Sequence, residues 1–199
     1  VNPVMRRLLC STDSALNFLN AMNNGKIVIL KMPKGLLGQS DTEMLCALTV
    51  LSLTQAGLAR VSMRQHERRP VRIYIDEFQT CVGDGLAGML AEARKFGISL
   101  ILANQSLAQV DGSGKHPDTG YAALANAANL VSFRVGAPDA SRLAPWFAPE
   151  IEWQELCRLH DFYAVARTLQ NGRPSPARIV RMSTPPQFAC TEAGGGRNE

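Results

Sequence analysis

Apolar residues gather into five short runs along the chain, at positions 26–31, 71–75, 98–103, 130–135 and 162–169. Each has the length and residue types of a β-strand. Between them the spacing turns helical. Residues 41–60 carry few polar side chains before Gln55, and Ser40 with Glu43 has the form of a capping box, which predicts a long helix buried on a sheet. Leu86, Met89, Leu90 and Ala93 recur at i, i+3, i+4 and i+7, one stripe of a second helix ending near Gly97. Near-continuous apolar strands alternating with helices predict parallel β-α-β units buried on both faces. Right-handed crossovers then build an open α/β sheet.

The remaining segments read as connections. The basic stretch 60–70 and the Gly-, Ser- and Pro-containing stretch 111–119 are expected to be loops, and residues 185–199, with three consecutive glycines, a frayed tail. Residues 1–25 are expected to be a helical lead-in or linker, and 26–184 the core. The first residue is Val1 rather than Met, with no charged leader before an apolar segment, as expected of a piece of a longer protein.

Composition narrows the class only a little. The 199 residues suffice for one compact unit, and 46% hydrophobic with 19% charged residues is ordinary for a soluble globular chain. No apolar run approaches the roughly 20 residues needed to span a bilayer, so no membrane span is expected. Five cysteines, widely spaced and without C-x-x-C, favour a reducing compartment and inert thiols. A net charge of +4 is compatible with nucleic-acid contact and equally with an ordinary domain. His66, His116 and His160 have no ligand spacing.

The run 71–75 ends in two adjacent acids, Asp76 and Glu77. Ligands of open α/β sheets collect at the carboxyl ends of the strands. There a first carboxylate can hold Mg²⁺ on a nucleotide's phosphates and a second can polarise the attacking water, the Walker B arrangement. A plain solvated turn is the competing reading. The next strand delivers Asn104 and Gln105 to the same edge, where an amide can sense a γ-phosphate or simply cap a helix. Arg94 and Lys95 close the intervening helix. There they either complement its dipole, worth about 0.3 to 1 kcal/mol, or place Arg94 on a neighbouring subunit's nucleotide. Arg60, Arg64, Arg68 and Arg69 can face DNA or form a solvated basic loop. The phosphate-cradling G-x-x-x-x-G-K-[ST] is missing: residues 112–116 resemble only its tail, with His116 where a hydroxyl should bind the metal.

Three stretches, IYIDEFQT, EARKFGISLILANQSLAQV (92–110) and NLVSFRVGAPDASRLA (129–144), resemble the C-terminal half of the motor domain of conjugative coupling proteins. These are the TraD/TraG-type ATPases of type IV secretion, kin to the FtsK and HerA translocases, and the resemblance spans about 27–166. It implies an α/β fold with a RecA-like open, mainly parallel sheet and helices on both faces, an incomplete P-loop NTPase domain. Position by position, Asp76 and Glu77 match the Walker B acids, Gln105 the polar sensor, and Arg94 the arginine offered across a hexamer interface. It further implies ATP and Mg²⁺ as cofactors and a homo-hexamer at the cytoplasmic face of the bacterial inner membrane. DNA, relaxosome proteins and the secretion channel are the implied partners. Arg64, Arg68 and Arg69 are the residues expected to touch nucleic acid. A VirB-type or HerA-type ATPase of another pathway, and a non-catalytic module docking a relaxosome protein, are the alternatives. The Walker A half, the membrane anchor and most of the family's all-α domain have no counterpart here, so this chain alone is expected to bind ATP poorly.

Overall fold

Two of the five apolar runs find each other as the pattern predicts, and the rest of the first half of the chain is built around them. The computed structural model describes residues 3–10, 16–81, 84–111 and 119–184, so the glycine-containing stretch 112–116 and the tail 185–199 lie outside the described residues. The chain divides into two compact units, Val1–Ala127 and Ala128–Glu199.

In the first unit, helices α1 (Pro3–Leu9), α2 (Phe18–Asn23), α3 (Lys34–Leu37) and α4 (Gln39–Ala59) precede strand β1 (Val71–Ile75). Helix α5 (Asp84–Glu92), strand β2 (Ile98–Leu102) and helices α6 (Leu107–Asp111) and α7 (Thr119–Asn126) follow. Strands β1 and β2 pair in parallel, with Val71 opposite Ile98 and Ile75 opposite Leu102. Helix α5 buries Leu86 and Met89 and half-buries Leu90. It then tightens into a 3-10 turn over Ala93–Phe96 and stops at Gly97, whose φ of +71° is the left-handed stop that glycine adopts without strain. The core joins these residues to Met22 of α2, Val50 and Ala56 of α4, and Phe78, Phe96 and Ile98. Gly57 lets α4 close onto β2: a Cβ there would lie 3.0 Å from the Ile98 side chain.

Five expectations are corrected. Residues 26–31 form no strand: they run without a hydrogen-bonded partner strand, with Ile27 and Ile29 91% and 87% exposed. The β1–β2 sheet is covered on one face among the described residues, since burial alternates along both strands and Tyr74 is 71% exposed. The capping box at Ser40 does not form. Helix α4 begins two residues earlier, after Gly38, with Thr42 Oγ1 donating to the Gly38 carbonyl (2.7 Å) and Glu43 taken up by Gln39. Helix α4 also buries one side only, leaving Met44, Leu48, Leu51 and Leu58 exposed. Contrary to the expectation that no apolar stretch reaches spanning length, the helical stretch Gln39–Ser62 is long and apolar enough to cross a bilayer by length and composition alone. Its buried side forms part of the first unit's core.

The second unit has a different grammar. Strands β3 (Leu130–Ser132), β4 (Tyr163–Arg167) and β7 (Arg178–Arg181) make an antiparallel sheet in the order β3-β4-β7, not an extension of a parallel one. Helices α8 (Ala137–Phe147) and α9 (Trp153–Arg158) lie between β3 and β4 in sequence; the main-chain N–H of Glu152 donates to Glu155 Oε2 (2.9 Å), closing the start of α9. Leu143, Phe147, Leu156, Ala164 and Val165 are buried. Strands β5 (Leu169–Gln170) and β6 (Arg173–Pro174) form a tight hairpin through Asn171 and Gly172. Both turn residues have positive φ, +51° and +77°, the residue pair that such turns favour.

Candidate functional site

The parallel register of β1 and β2 brings the polar residues after each strand out at one end. Backbone bonds carry the ladder past the strands: the N–H of Ala103 donates to the Ile75 carbonyl and that of Phe78 to the Ala103 carbonyl, both at 3.0 Å. Asp76 and Glu77 therefore turn away from the sheet beside residues 103–105. Phe78, 4% exposed, is driven into the core directly after them. That anchor forces a sharp reversal, and Glu77 takes it with a φ of +50°, a left-handed conformation rare outside glycine, asparagine and aspartate. Its cost is of order 1 to 3 kcal/mol, sustained by the surrounding bonds.

Those bonds fix the acid. The Glu77 N–H donates to Asp76 Oδ1 (3.0 Å), the Thr80 N–H donates to the Glu77 carbonyl (3.0 Å), and the Thr80 hydroxyl donates to that same carbonyl. Gln105 Nε2 reaches across from the loop after β2 and donates to Glu77 Oε1 at 3.1 Å. Glu77 and Gln105 are both exposed, as is Asp76. Three residues singled out from sequence thus share one strand end, and two of them touch. Asn104 is half-buried beside them. Thr80 joins them from outside the sequence-derived candidates; a hydroxyl three residues after a strand-ending acid, where it can close a turn, is its one local signal. Gln79 and Gln109 form a second amide contact nearby, Nε2 to Oε1 at 3.2 Å.

Arg94 is not part of this constellation. It precedes β2 whereas Gln105 follows it, and five residues of strand at about 3.3 Å each put about 16 Å between the two ends. It is exposed at the opposite edge of the sheet.

The basic stretch separates into two kinds of arginine. Arg60 is wholly buried, donating from Nη1 to the Phe96 carbonyl (3.0 Å) and from Nη2 to the Arg69 carbonyl. One guanidinium thereby clasps the approaches to both strands. Burial, with a smaller contribution from the charge of Arg68, lowers its pKa below the usual arginine value. Arg68 is similarly occupied, donating to the carbonyls of Met63 (2.8 and 3.0 Å), Val61 (3.1 Å) and Lys95. Arg64 and Arg69 are exposed, and the Arg69 guanidinium lies over Gly25, where a Cβ would collide with it.

A cavity of about 840 Å³ opens between residues 25–32 and β1, with Asp76, Glu77 and Thr80 at one end. Gln105 and Arg94 do not line it.

Solved structures share the fold. The bacterial conjugative coupling protein TrwBdeltaN70, in its unbound monoclinic form, superposes with a TM-score of 0.70 at 16% identity, over 86% of this chain and 44% of that one. The chain has the fold of part of the coupling protein TrwB. A second TrwB structure, in complex with ADP and Mg²⁺, gives a TM-score of 0.69 at 18% identity, over 89% of this chain and 45% of that one. The genome packaging NTPase B204 from Sulfolobus turreted icosahedral virus 2, in complex with AMPPCP, follows at a TM-score of 0.51 and 13% identity, over 86% of this chain and 73% of that one. The chain spans less than half the length of the TrwB structures. No protein-family model matches it, and no curated protein matches it by sequence.

Proposed function

We propose that this chain is the C-terminal part of a RecA-like motor that hydrolyses ATP to move DNA, or a relaxase-DNA complex, toward a type IV secretion channel. The contact between Glu77 and Gln105 carries the reading. An acid and an amide from the ends of successive parallel strands meet at the edge where α/β sheets receive nucleotides. Exposed carboxylates are the hard oxygen donors that Mg²⁺ takes, so Asp76 and Glu77 fit the metal, with Asp76 the residue to hold it through water. When bound, Mg²⁺ would neutralise charge on the transferred phosphoryl group.

Within that reading, Glu77 orients and polarises the attacking water, and Gln105 sets the carboxylate's position while reporting the γ-phosphate. The reversed backbone at Glu77 and its anchor at Phe78 preorganise the acid. Arg94, about a strand's length from Glu77, serves the site of a neighbouring subunit in a homo-hexamer, at the cytoplasmic face of the bacterial inner membrane. Arg64 and Arg69 keep exposed guanidinium groups for DNA, whereas the guanidinium of Arg68 is taken up by backbone carbonyls. The likeness to a packaging NTPase over 73% of its length supports a second reading, a DNA-moving ATPase of another pathway of the FtsK/HerA kind.

The test is DNA-stimulated ATP hydrolysis by the longer protein that carries a phosphate-binding loop. Glu77→Gln is expected to lower turnover about 10²- to 10⁴-fold. Unchanged turnover removes the motor and leaves a docking module for a relaxosome protein.

A further inference from the structure

Residues 162–184 carry four arginines and no aspartate or glutamate. Arg167 is taken up, its Nη1 donating to the Trp146 carbonyl at 2.7 Å. Arg173, Arg178 and Arg181 are exposed, and their guanidinium groups have no hydrogen-bond or ion-pair partner among the described residues. The backbone sorts them by face. Strands β4 and β5 form one side of a long hairpin, and β6 and β7 the other. At its tip Gln170 lies opposite Arg173 and Leu169 opposite Pro174. The ladder continues through Ser175, whose N–H donates to the Thr168 carbonyl (2.8 Å), while the Thr168 N–H donates to Ser175 Oγ (3.2 Å). Beyond that pair the register shifts by one residue: Ala166 lies opposite Arg178, so Pro176 and Ala177 together face Arg167. This is a β-bulge, and proline fits it because the extra residue is left out of the ladder. Side chains alternate between faces along a strand, so residues five apart ordinarily point opposite ways. The extra residue brings Arg173 and Arg178 onto one face together with Gln170, while Arg181, opposite Tyr163, lies on the other. Residues 169–174 are all exposed, and the Leu169 N–H is tied to Asn129 Oδ1 (2.8 Å) at the base of the tip.

We propose that this face of the hairpin is a docking surface for double-stranded DNA, with Arg173 and Arg178 on backbone phosphates and the Gln170 amide beside them. A two-stranded ribbon is one of the elements that the major groove admits. Five residues of strand put the two arginines at most about 16 Å apart, a span of about five base pairs at roughly 3.4 Å each. Each guanidinium is a planar fork that can grip a phosphate through two parallel hydrogen bonds. No acid within the hairpin cancels the attraction, and Asp161, next to it in sequence, is engaged by Arg134 Nη2 at 2.9 Å. A bilayer surface fits less well, because the tip offers a single leucine, Leu169, as a large apolar side chain for insertion. In naming DNA the proposal rests on the reading of this chain as part of a DNA-moving motor. The surface itself belongs to the second unit, whereas Glu77, Arg64 and Arg69 belong to the first.

The experiment follows binding of the whole chain to a fluorescein-labelled DNA duplex of mixed sequence by anisotropy, without nucleotide, over a range of salt concentrations. Each phosphate contact contributes about 0.9 to the slope of log affinity against log salt. Arg173→Ala and Arg178→Ala are therefore each expected to flatten that slope by about 0.9 and to weaken binding roughly fivefold to tenfold near 0.1 M salt. Arg173→Lys, which keeps the charge, is expected to keep the slope. Arg181→Ala removes the same charge from the other face and is expected to leave the slope nearly as it was. Equal losses in all three alanine variants would reduce the effect to net charge and overturn the proposal. So would a slope that neither Arg173→Ala nor Arg178→Ala changes, or a chain that binds vesicles of phosphatidylserine and phosphatidylcholine but not the duplex. Because no ATP is present, a chain that hydrolyses nothing can still bear the docking surface out, and a surface that fails leaves the test of Glu77 standing.

Discussion

Residues 26–31 and Val71–Ile75 are close in composition: short, apolar, with basic residues among or beside them. One becomes the first strand of a parallel pair, with two acids at its carboxyl end. The other forms no strand and leaves its isoleucines in solvent. The difference is in what each can reach. Val71–Ile75 is followed by a helix whose stripe of Leu86, Met89 and Ala93 seals one face, and that helix returns the chain as β2 in register. Arg60 clasps the entry to both strands. Residues 26–31 have neither a returning partner strand nor a clasp among the described residues. An apolar run states a capacity for pairing; the pairing itself is a property of the neighbours.

That contrast can be broken or sharpened by substitution, with unfolding by urea followed by far-ultraviolet circular dichroism. Phe78→Ala, which removes the ring that drives the chain inward after Glu77, is expected to cost about 3 to 5 kcal/mol. Arg60→Ala is next, at about 3 kcal/mol, because it removes charged donors from two carbonyls at the strand entries. Lys at this position should rescue little, having no fork to span both oxygens. Ile27→Ala and Ile29→Ala should change stability by less than about 0.5 kcal/mol. A cost above about 2 kcal/mol at Ile29 would show that the segment is a partnered strand after all. Amide exchange makes the same comparison without substitution: Ile73 and Ile101, whose N–H groups the parallel register places in the ladder, protected, Val28 and Leu30 fast.

Much of this was legible in the sequence where the signal is local. The stripe of α5, its stop at Gly97, both parallel strands and the shared edge for Glu77 and Gln105 follow from periodicity and the carboxyl-end rule. The arginines were not, because the carbonyls that occupy Arg60 lie 9 and 36 residues away and those that occupy Arg68 lie between 5 and 27 residues away. No charge pattern distinguishes a buried clasp from a solvated basic loop. The second unit is less legible for another reason: apolar runs at 130–135 and 162–169 do not state that they pair antiparallel, and the third strand of their sheet is β7, a short strand with arginine at both ends. Its hairpin neighbour does carry a local signal, since Asn171-Gly172 is a strong two-residue turn pair.

The most direct measurement of the central claim is a single-turnover experiment on the longer protein, with labelled ATP bound in the presence of Mg²⁺ and the reaction quenched over time. If Glu77 activates water and does not hold the nucleotide, Glu77→Gln retains bound ATP and cleaves it at least about 10²-fold more slowly. Gln105→Ala, which frees the acid without removing it, should fall between Glu77→Gln and the unsubstituted protein. Cleavage at the unsubstituted rate in Glu77→Gln would contradict the assignment, and with it the claim that the end of Val71–Ile75 is half of a hydrolytic site.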